Sequence, residues 1–215
     1  MARARYIVVE GPIGVGKTSL ARRLAASLEG DLILERPEDN PFLERFYDKP
    51  RDAALPTQLF FLFQRARQLE TLLQEDLFAA ARIADFLFDK ETLFAELTLA
   101  SEELELYRQV RANLGITPRV PDLVVYLQAP VDVLLERIAR RGIGFEQRMT
   151  RAYLERLAEA YARFFHAWEA SPLLIVNVAT IDPVHNDREY AELFGAIERI
   201  DKGRHFFNPA GGGIV

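Results

Sequence analysis

Gly11-Pro12-Ile13-Gly14-Val15-Gly16-Lys17-Thr18 is the stretch from which the fold is read. An apolar run, Tyr6-Ile7-Val8-Val9, leads into it, and a helical pattern starting at Ser19 leads away. Strand, glycine-rich loop and helix in that order turn G-x-x-x-x-G-K-[ST] into a phosphate-binding loop. Glycine admits backbone angles that other residues resist. Successive N–H groups can then face one concavity at the positive end of the following helix. Lys17 is placed to reach the β- and γ-phosphates of a nucleoside triphosphate, and the Thr18 hydroxyl to ligate Mg²⁺. The candidate ATP-binding residues are Gly11, Pro12, Ile13, Gly14, Val15, Gly16, Lys17, Thr18 and Ser19. The competing reading is a turn that happens to carry three glycines; the flanking strand and helix weigh against it.

The rest of the composition narrows the class. The chain has 215 residues, 49% of them hydrophobic, and a formal net charge of −5 with acids and bases interleaved. This suits one soluble globular domain and offers no basic stripe for nucleic acid. No apolar run approaches the ~20 residues of a membrane span. After Met1-Ala2-Arg3-Ala4-Arg5 the apolar run ends at Glu10, too short for a signal peptide. Cysteine is absent, which removes disulfides, thiolate nucleophiles and cysteine zinc sites and fits the cytoplasm. His166, His185 and His205 are scattered, which argues against a histidine metal site.

Apolar runs alternate with helical patterns along the chain. Strands are expected at Tyr6–Val9, Asp31–Glu35, Ala80–Asp85, Pro121–Leu127 and Leu173–Val178. Helices are expected at Phe42–Phe46, Pro56–Gln74, Glu91–Asn113 (broken near Ser101, a candidate N-cap), Pro130–Arg141, Thr150–Glu169 and Asp187–Ile200. Five apolar strands separated by helices imply an α/β fold, a three-layer α/β/α P-loop NTPase with a five-stranded parallel sheet. One domain is expected over 1–202, with a lid at about 137–149 and a flexible tail at 203–215. In such sheets ligands bind beyond the carboxyl ends of the strands, so Glu10, Glu35, Asp85 and Gln128 are read first.

Glu35 stands where the second strand opens toward the phosphate loop. It is either a general base for an attacking hydroxyl or a solvated strand-end acid. Gln58 and Arg65, seven residues apart, are close to two helical turns from each other and share a face. A buried amide can both donate and accept. Phe60, Phe61 and Phe63 either pack on a base plane or belong to the core; for Phe61 and Phe63 the core reading is preferred. Arg137, Arg140 and Arg141 lie just ahead of Gly142 and Gly144, as in a flap that closes cations onto phosphate, and at least one belongs to a solvated helix face. Tyr161, Phe164, Phe165 and Trp168 recur at helical spacing and read as core or dimer packing.

Three segments resemble the deoxynucleoside kinases: Glu35-Arg36-Pro37-Glu38-Asp39-Asn40-Pro41 with Phe46-Tyr47, Leu55-Pro56-Thr57-Gln58 through Arg65-Ala66-Arg67-Gln68, and Glu136-Arg137 through Gln147-Arg148. Together with the loop they cover roughly residues 5–200 in order. The resemblance implies a base-facing Gln58 and Arg65. It also implies that Tyr47 and a lid glutamate, Glu146, hold the sugar 3′-hydroxyl, and that Arg137 and Arg141 clamp the transferred phosphate. One departure stands out. After the third strand the family commonly has Glu-Arg; here Ala84-Asp85 stands instead. Asp85 is expected to take a magnesium-linked role with Thr18, and Lys90 is a candidate substitute for the arginine. With Phe86-Leu87-Phe88-Asp89-Lys90, this points toward the bacterial deoxyadenosine/deoxyguanosine kinases, hence a purine deoxynucleoside as acceptor and a homodimer as assembly.

The leading expectation is an ATP- and Mg²⁺-dependent kinase acting on a deoxynucleoside 5′-hydroxyl in nucleotide salvage. The nearest alternative is a thymidylate kinase-like nucleoside monophosphate kinase. Against it, Glu35, Glu38 and Asp39 make the acceptor region acidic, an argument that Arg36 and Arg45 weaken. A GTP-binding switch protein lacks support, because no Asn-Lys-x-Asp segment occurs. A purely structural ATP-binding subunit would leave the lid and acceptor helix unexplained.

Overall fold

The computed structural model describes residues 5–74, 81–208 and 213–214. Met1–Ala4 of the leader reading, Ala80 of the third expected strand, and residues 209–212 and 215 of the tail lie outside the described residues. In chain order the elements are β1 (Arg5–Glu10), α1 (Lys17–Ser27), β2 (Asp31–Ile33), α2 (Leu43–Asp48), α3 (Pro50–Gln74), β3 (Ala81–Ala84), α4 (Lys90–Thr98) and α5 (Ser101–Asn113). They continue with β4 (Leu123–Gln128), α6 (Val131–Arg141), α7 (Arg151–His166), β5 (Leu173–Asn177), α8 (Asp187–Arg199), β6 (Arg204–Asn208) and β7 (Gly213–Ile214).

The strands form one seven-stranded sheet in the order β2-β3-β1-β4-β5-β6-β7. Every pairing is parallel except the last, β6 with β7. Strand side chains alternate between faces, and here both faces are apolar. Ile7 and Val9 of β1, with Leu123, Val125 and Leu127 of β4, pack under Leu20 and Leu24 of α1 and Leu193 and Ile197 of α8. Tyr6, Val8, Val124 and Tyr126 pack on the other face against Leu154, Leu157, Tyr161 and Phe165 of α7. Burial on both faces is why these strands read as continuous apolar runs. Each fully buried Leu or Ile contributes roughly 1.5–3 kcal/mol.

All five expected strands are present, and the sheet continues past them. Arg204–Asn208 is a sixth parallel strand rather than a flexible tail. Phe207 supplies the reason: its side chain is buried against β5 and the α8 side of the core. α3 begins at Pro50, earlier than the expected Pro56, which lies inside the helix. A proline there forfeits one helical hydrogen bond. The turn ahead of it buries Ala53 and Ala54 against Leu43 and Phe46 of α2, which offsets that loss. Ser101 is the first residue of α5 and Ala100 precedes it as the cap; the Glu103 carboxylate accepts the Ala100 N–H at 3.1 Å. α6 stops at Gly142, whose φ of 72° is the left-handed conformation that ends helices.

Candidate active site

The donor half forms where β1 turns into α1. Gly11 has φ 149°, and a Cβ there would lie 2.3 Å from the Leu127 carbonyl oxygen, so only glycine lets the loop pass this close to β4. Gly16, at φ 104°, opens α1. Lys17 Nζ donates to the carbonyls of Gly11 (2.8 Å) and Pro12 (3.2 Å), across the loop mouth. Enclosure of this ammonium, and then its neighbour Lys90, lower its pKa to about 8. A cleft of about 360 Å³ runs from Gly14–Leu20 past Arg137, Arg140 and Arg141 to Val178 and Asp182–His185. The segment Asp182–His185 was not singled out in the sequence. It is held by Arg23, which donates to the Val184 carbonyl at 2.8 Å, pairs with Asp187 and lies 4.0 Å over the Tyr190 ring.

The acceptor half is a cavity of about 110 Å³ beside the loop. Its wall brings together Lys17, Thr18, Glu35, Tyr47, Gln58, Arg65, Asp85, Arg141 and Glu146, residues from seven separate segments of the sequence. A wider groove of about 850 Å³ shares Thr18, Glu35 and Arg141 with it and runs outward between β2 and α3. Phe61, expected in the core, packs against the cluster of Leu43, Phe46, Ala53 and Ala54 and also lines the cavity, with the Arg65 guanidinium 5.2 Å from its ring centre. Phe63, also expected in the core, is 40% exposed. The reason is one helical position: α3 presents residues 58, 61 and 65 inward, and 63 falls on the opposite side.

Glu35 is not a solvated strand-end acid. Its carboxylate is paired with Arg65 on one oxygen and lies 3.4 Å from Lys90 Nζ on the other. Its backbone N–H donates to Asp85 Oδ1 at 2.7 Å, while Thr18 Oγ1 donates to Asp85 Oδ2 at 2.5 Å. Asp85 therefore ties the phosphate loop to the segment carrying Glu35. Burial raises the Asp85 pKa, opposed by the Thr18 hydrogen bond and by Lys90 and Lys17.

Beneath the cavity lies a buried polar network that the sequence did not reveal. Glu10, fully buried, accepts from Gly11 N (2.7 Å), Leu87 N (2.9 Å) and Tyr161 Oη (3.0 Å), and pairs with Lys90 Nζ at 2.9 Å. Burial works against ionisation of Glu10, but Lys90 and Lys17 overcome it and hold its carboxyl below the usual carboxylate range. Arg65 joins Glu35 to the buried Glu91, which also accepts from Tyr107 Oη at 3.0 Å. Burial lowers the Arg65 pKa to about 10. Glu10 had been noted as a strand-end acid and Lys90 as a substitute cation. Tyr161, expected as packing, also binds Glu10, while Tyr107 and Glu91 carried no signal beyond helical periodicity.

The two lid arginines separate. Arg141 reaches Glu146 at 3.2 Å on the cavity side. Arg137, expected as a phosphate clamp, lines the donor cleft and donates to the backbone carbonyls of Val15 (3.1 Å) and Val178 (2.8 Å). It binds the loop to the end of β5, because its place on α6 points it at the donor cleft. Glu146 is buried and its pKa is raised by that burial, with Arg141 and Lys17 opposing. Beside it Phe145 stacks on Tyr47 at 5.8 Å and 9°, closing the cavity wall.

The chain has relatives among known proteins. A family model described as deoxynucleoside kinase matches residues 7–200. A deoxyguanosine kinase of Bacillus subtilis is 37% identical over 184 residues, 85% of this chain and 88% of that protein. A deoxyadenosine kinase of Lactobacillus acidophilus is 30% identical over 208 residues, 90% of this chain and 95% of that one. Among solved structures, a deoxyadenosine kinase from M. mycoides with the products dCMP and a flexible dCDP superimposes with a TM-score of 0.79 at 21% identity. It covers 91% of this chain and 100% of that one, a likeness of fold. The match runs from the first strand through the last helix, and on that basis the chain belongs to the deoxynucleoside kinase family.

Proposed function

We propose that this deoxynucleoside kinase moves the γ-phosphoryl of ATP to the 5′-hydroxyl of a purine deoxynucleoside, in cytoplasmic nucleotide salvage, as a homodimer. The observation that carries the reading is that Glu35, held by Arg65 and Lys90, lines the same cavity as Lys17 and Thr18. In the reaction Glu35 orients the 5′-hydroxyl and accepts its proton. Lys17, the loop N–H groups and Arg141 stabilise charge on the phosphoryl in flight, which is most of what a loose transition state requires. Arg137 acts by positioning the loop. Tyr47 and Glu146 hold the sugar, and Gln58 and Arg65 face the base. Thr18 and Asp85 would hold Mg²⁺, which commonly takes one or two protein groups plus substrate phosphates and supplies charge neutralisation there. The purine assignment draws support from two relatives named for deoxyguanosine and deoxyadenosine.

The monophosphate kinase reading needs cationic groups for an acceptor phosphate. Here Arg65 and Lys90 are both engaged by buried carboxylates. The test is transfer of labelled γ-phosphate to the four deoxynucleosides and their four 5′-monophosphates in parallel. Deoxyguanosine or deoxyadenosine should show the highest kcat/KM and the monophosphates none. Efficient labelling of a monophosphate would contradict the proposal.

A further inference from the structure

Thr57 stands out in the acceptor cavity. It is 1% exposed, lines the cavity beside Gln58, and its Oγ1 is buried with no hydrogen-bond partner. A helical threonine ordinarily turns its hydroxyl back onto a carbonyl of the preceding turn, and this one does not. Its position is fixed independently of the hydroxyl, since the Thr57 carbonyl accepts from Asn40 Nδ2 at 3.2 Å and Pro56 stiffens the backbone before it. A buried hydroxyl without a partner destabilises the protein that carries it. Its retention in a cavity wall therefore points to a ligand that completes it.

We propose that Thr57 Oγ1 hydrogen-bonds the base of the bound deoxynucleoside and, with Gln58, sets base choice. The inference rests on the acceptor reading above. Thr57 and Gln58 are consecutive on α3 and both line the cavity, with Phe61 one turn on against the same cavity. Each polar group both donates and accepts. Together they can pair with two neighbouring heteroatoms on a purine edge while the ring packs on its face.

The experiment compares wild type, Thr57→Val and Thr57→Ser. It measures kcat/KM for each of the four deoxynucleosides, KM for ATP and the thermal midpoint. Valine keeps the shape and removes the hydroxyl; serine keeps the hydroxyl. Thr57→Val should lower kcat/KM for the preferred nucleoside about 10-fold, as expected when a buried substrate edge loses its partner. Its effect on the disfavoured nucleosides should be smaller, its KM for ATP unchanged, and its thermal midpoint equal or higher. Thr57→Ser should stay within about threefold of wild type. An active wild type with a Thr57→Val variant that has unchanged kcat/KM for all four nucleosides overturns this inference alone. So does a Thr57→Val variant that loses thermal stability while serine fails to preserve activity. A wild type inactive on all four nucleosides overturns the kinase proposal and this inference together.

Discussion

The donor and acceptor halves of the site are built on opposite principles. In the proposed donor half the triphosphate would meet mainly backbone N–H groups of a loop shaped by the glycine conformations at Gly11 and Gly16 and by the start of α1. Lys17 is the loop's one charged side chain. Around the acceptor the backbone contributes little. Charged side chains from β1, α3 and α4, with Glu35 just past β2, are held against one another out of water. A backbone site tolerates changes in neighbouring side chains. A buried charge network does not, because removing one member strands its partner.

The contrast is broken most severely at Lys17. Lys17→Ala should reduce phosphoryl transfer by at least about 10³-fold while the fold survives, since the lysine acts on charge and not on packing. Retained transfer in the labelled-ATP assay would mean the donor half works through backbone alone.

Lys90 tests the opposite half. Lys90→Met leaves Glu10 and Glu35 without their shared cation. Breaking such a buried pair costs about 3–5 kcal/mol, which urea unfolding would read as a lower midpoint. Adding Glu10→Gln should recover part of that loss, because the stranded charge is removed as well. If Lys90→Met unfolds at the wild-type midpoint, the network is not structural.

The smallest effect is on pH. The Lys17 ammonium, depressed to about 8 by enclosure and by Lys90, loses its proton in the free enzyme as pH rises past that value. Only the ammonium form attracts the triphosphate, so kcat/KM for ATP should fall above about pH 8 and level off below it. A profile flat to pH 9.5 would contradict the assignment of Lys17 as the titrating group.

The same division decides what could be read from the residues. The donor half was legible because one local pattern, flanked by strand and helix, encodes it. Continuous apolar runs likewise disclosed the first five strands. The sixth strand escaped because Arg204-His205-Phe206-Phe207 mixes charge with only two aromatics, and its pairing to β5 is a tertiary event. In the acceptor half, Gln58 and Arg65 entered through the family resemblance, with a helical spacing that agrees with it. Tyr47 and Glu146 entered only through family resemblance. The Glu10–Lys90 and Arg65–Glu91 pairs were not legible, since they join residues 80 and 26 positions apart in sequence. The contacts of Arg137 with Val15 and Val178 were not legible, because sequence shows a basic lid but not which way each arginine of α6 points.

Both halves meet at Glu35, so its substitution tests the account most directly. Glu35→Gln should be compared with wild type in single-turnover transfer from labelled ATP to deoxyguanosine, alongside equilibrium binding of ATP. The account predicts a fall in transfer of about 10²-fold or more, the contribution of a general base, with ATP affinity unchanged. Transfer within a few-fold of wild type would contradict the central role given to Glu35.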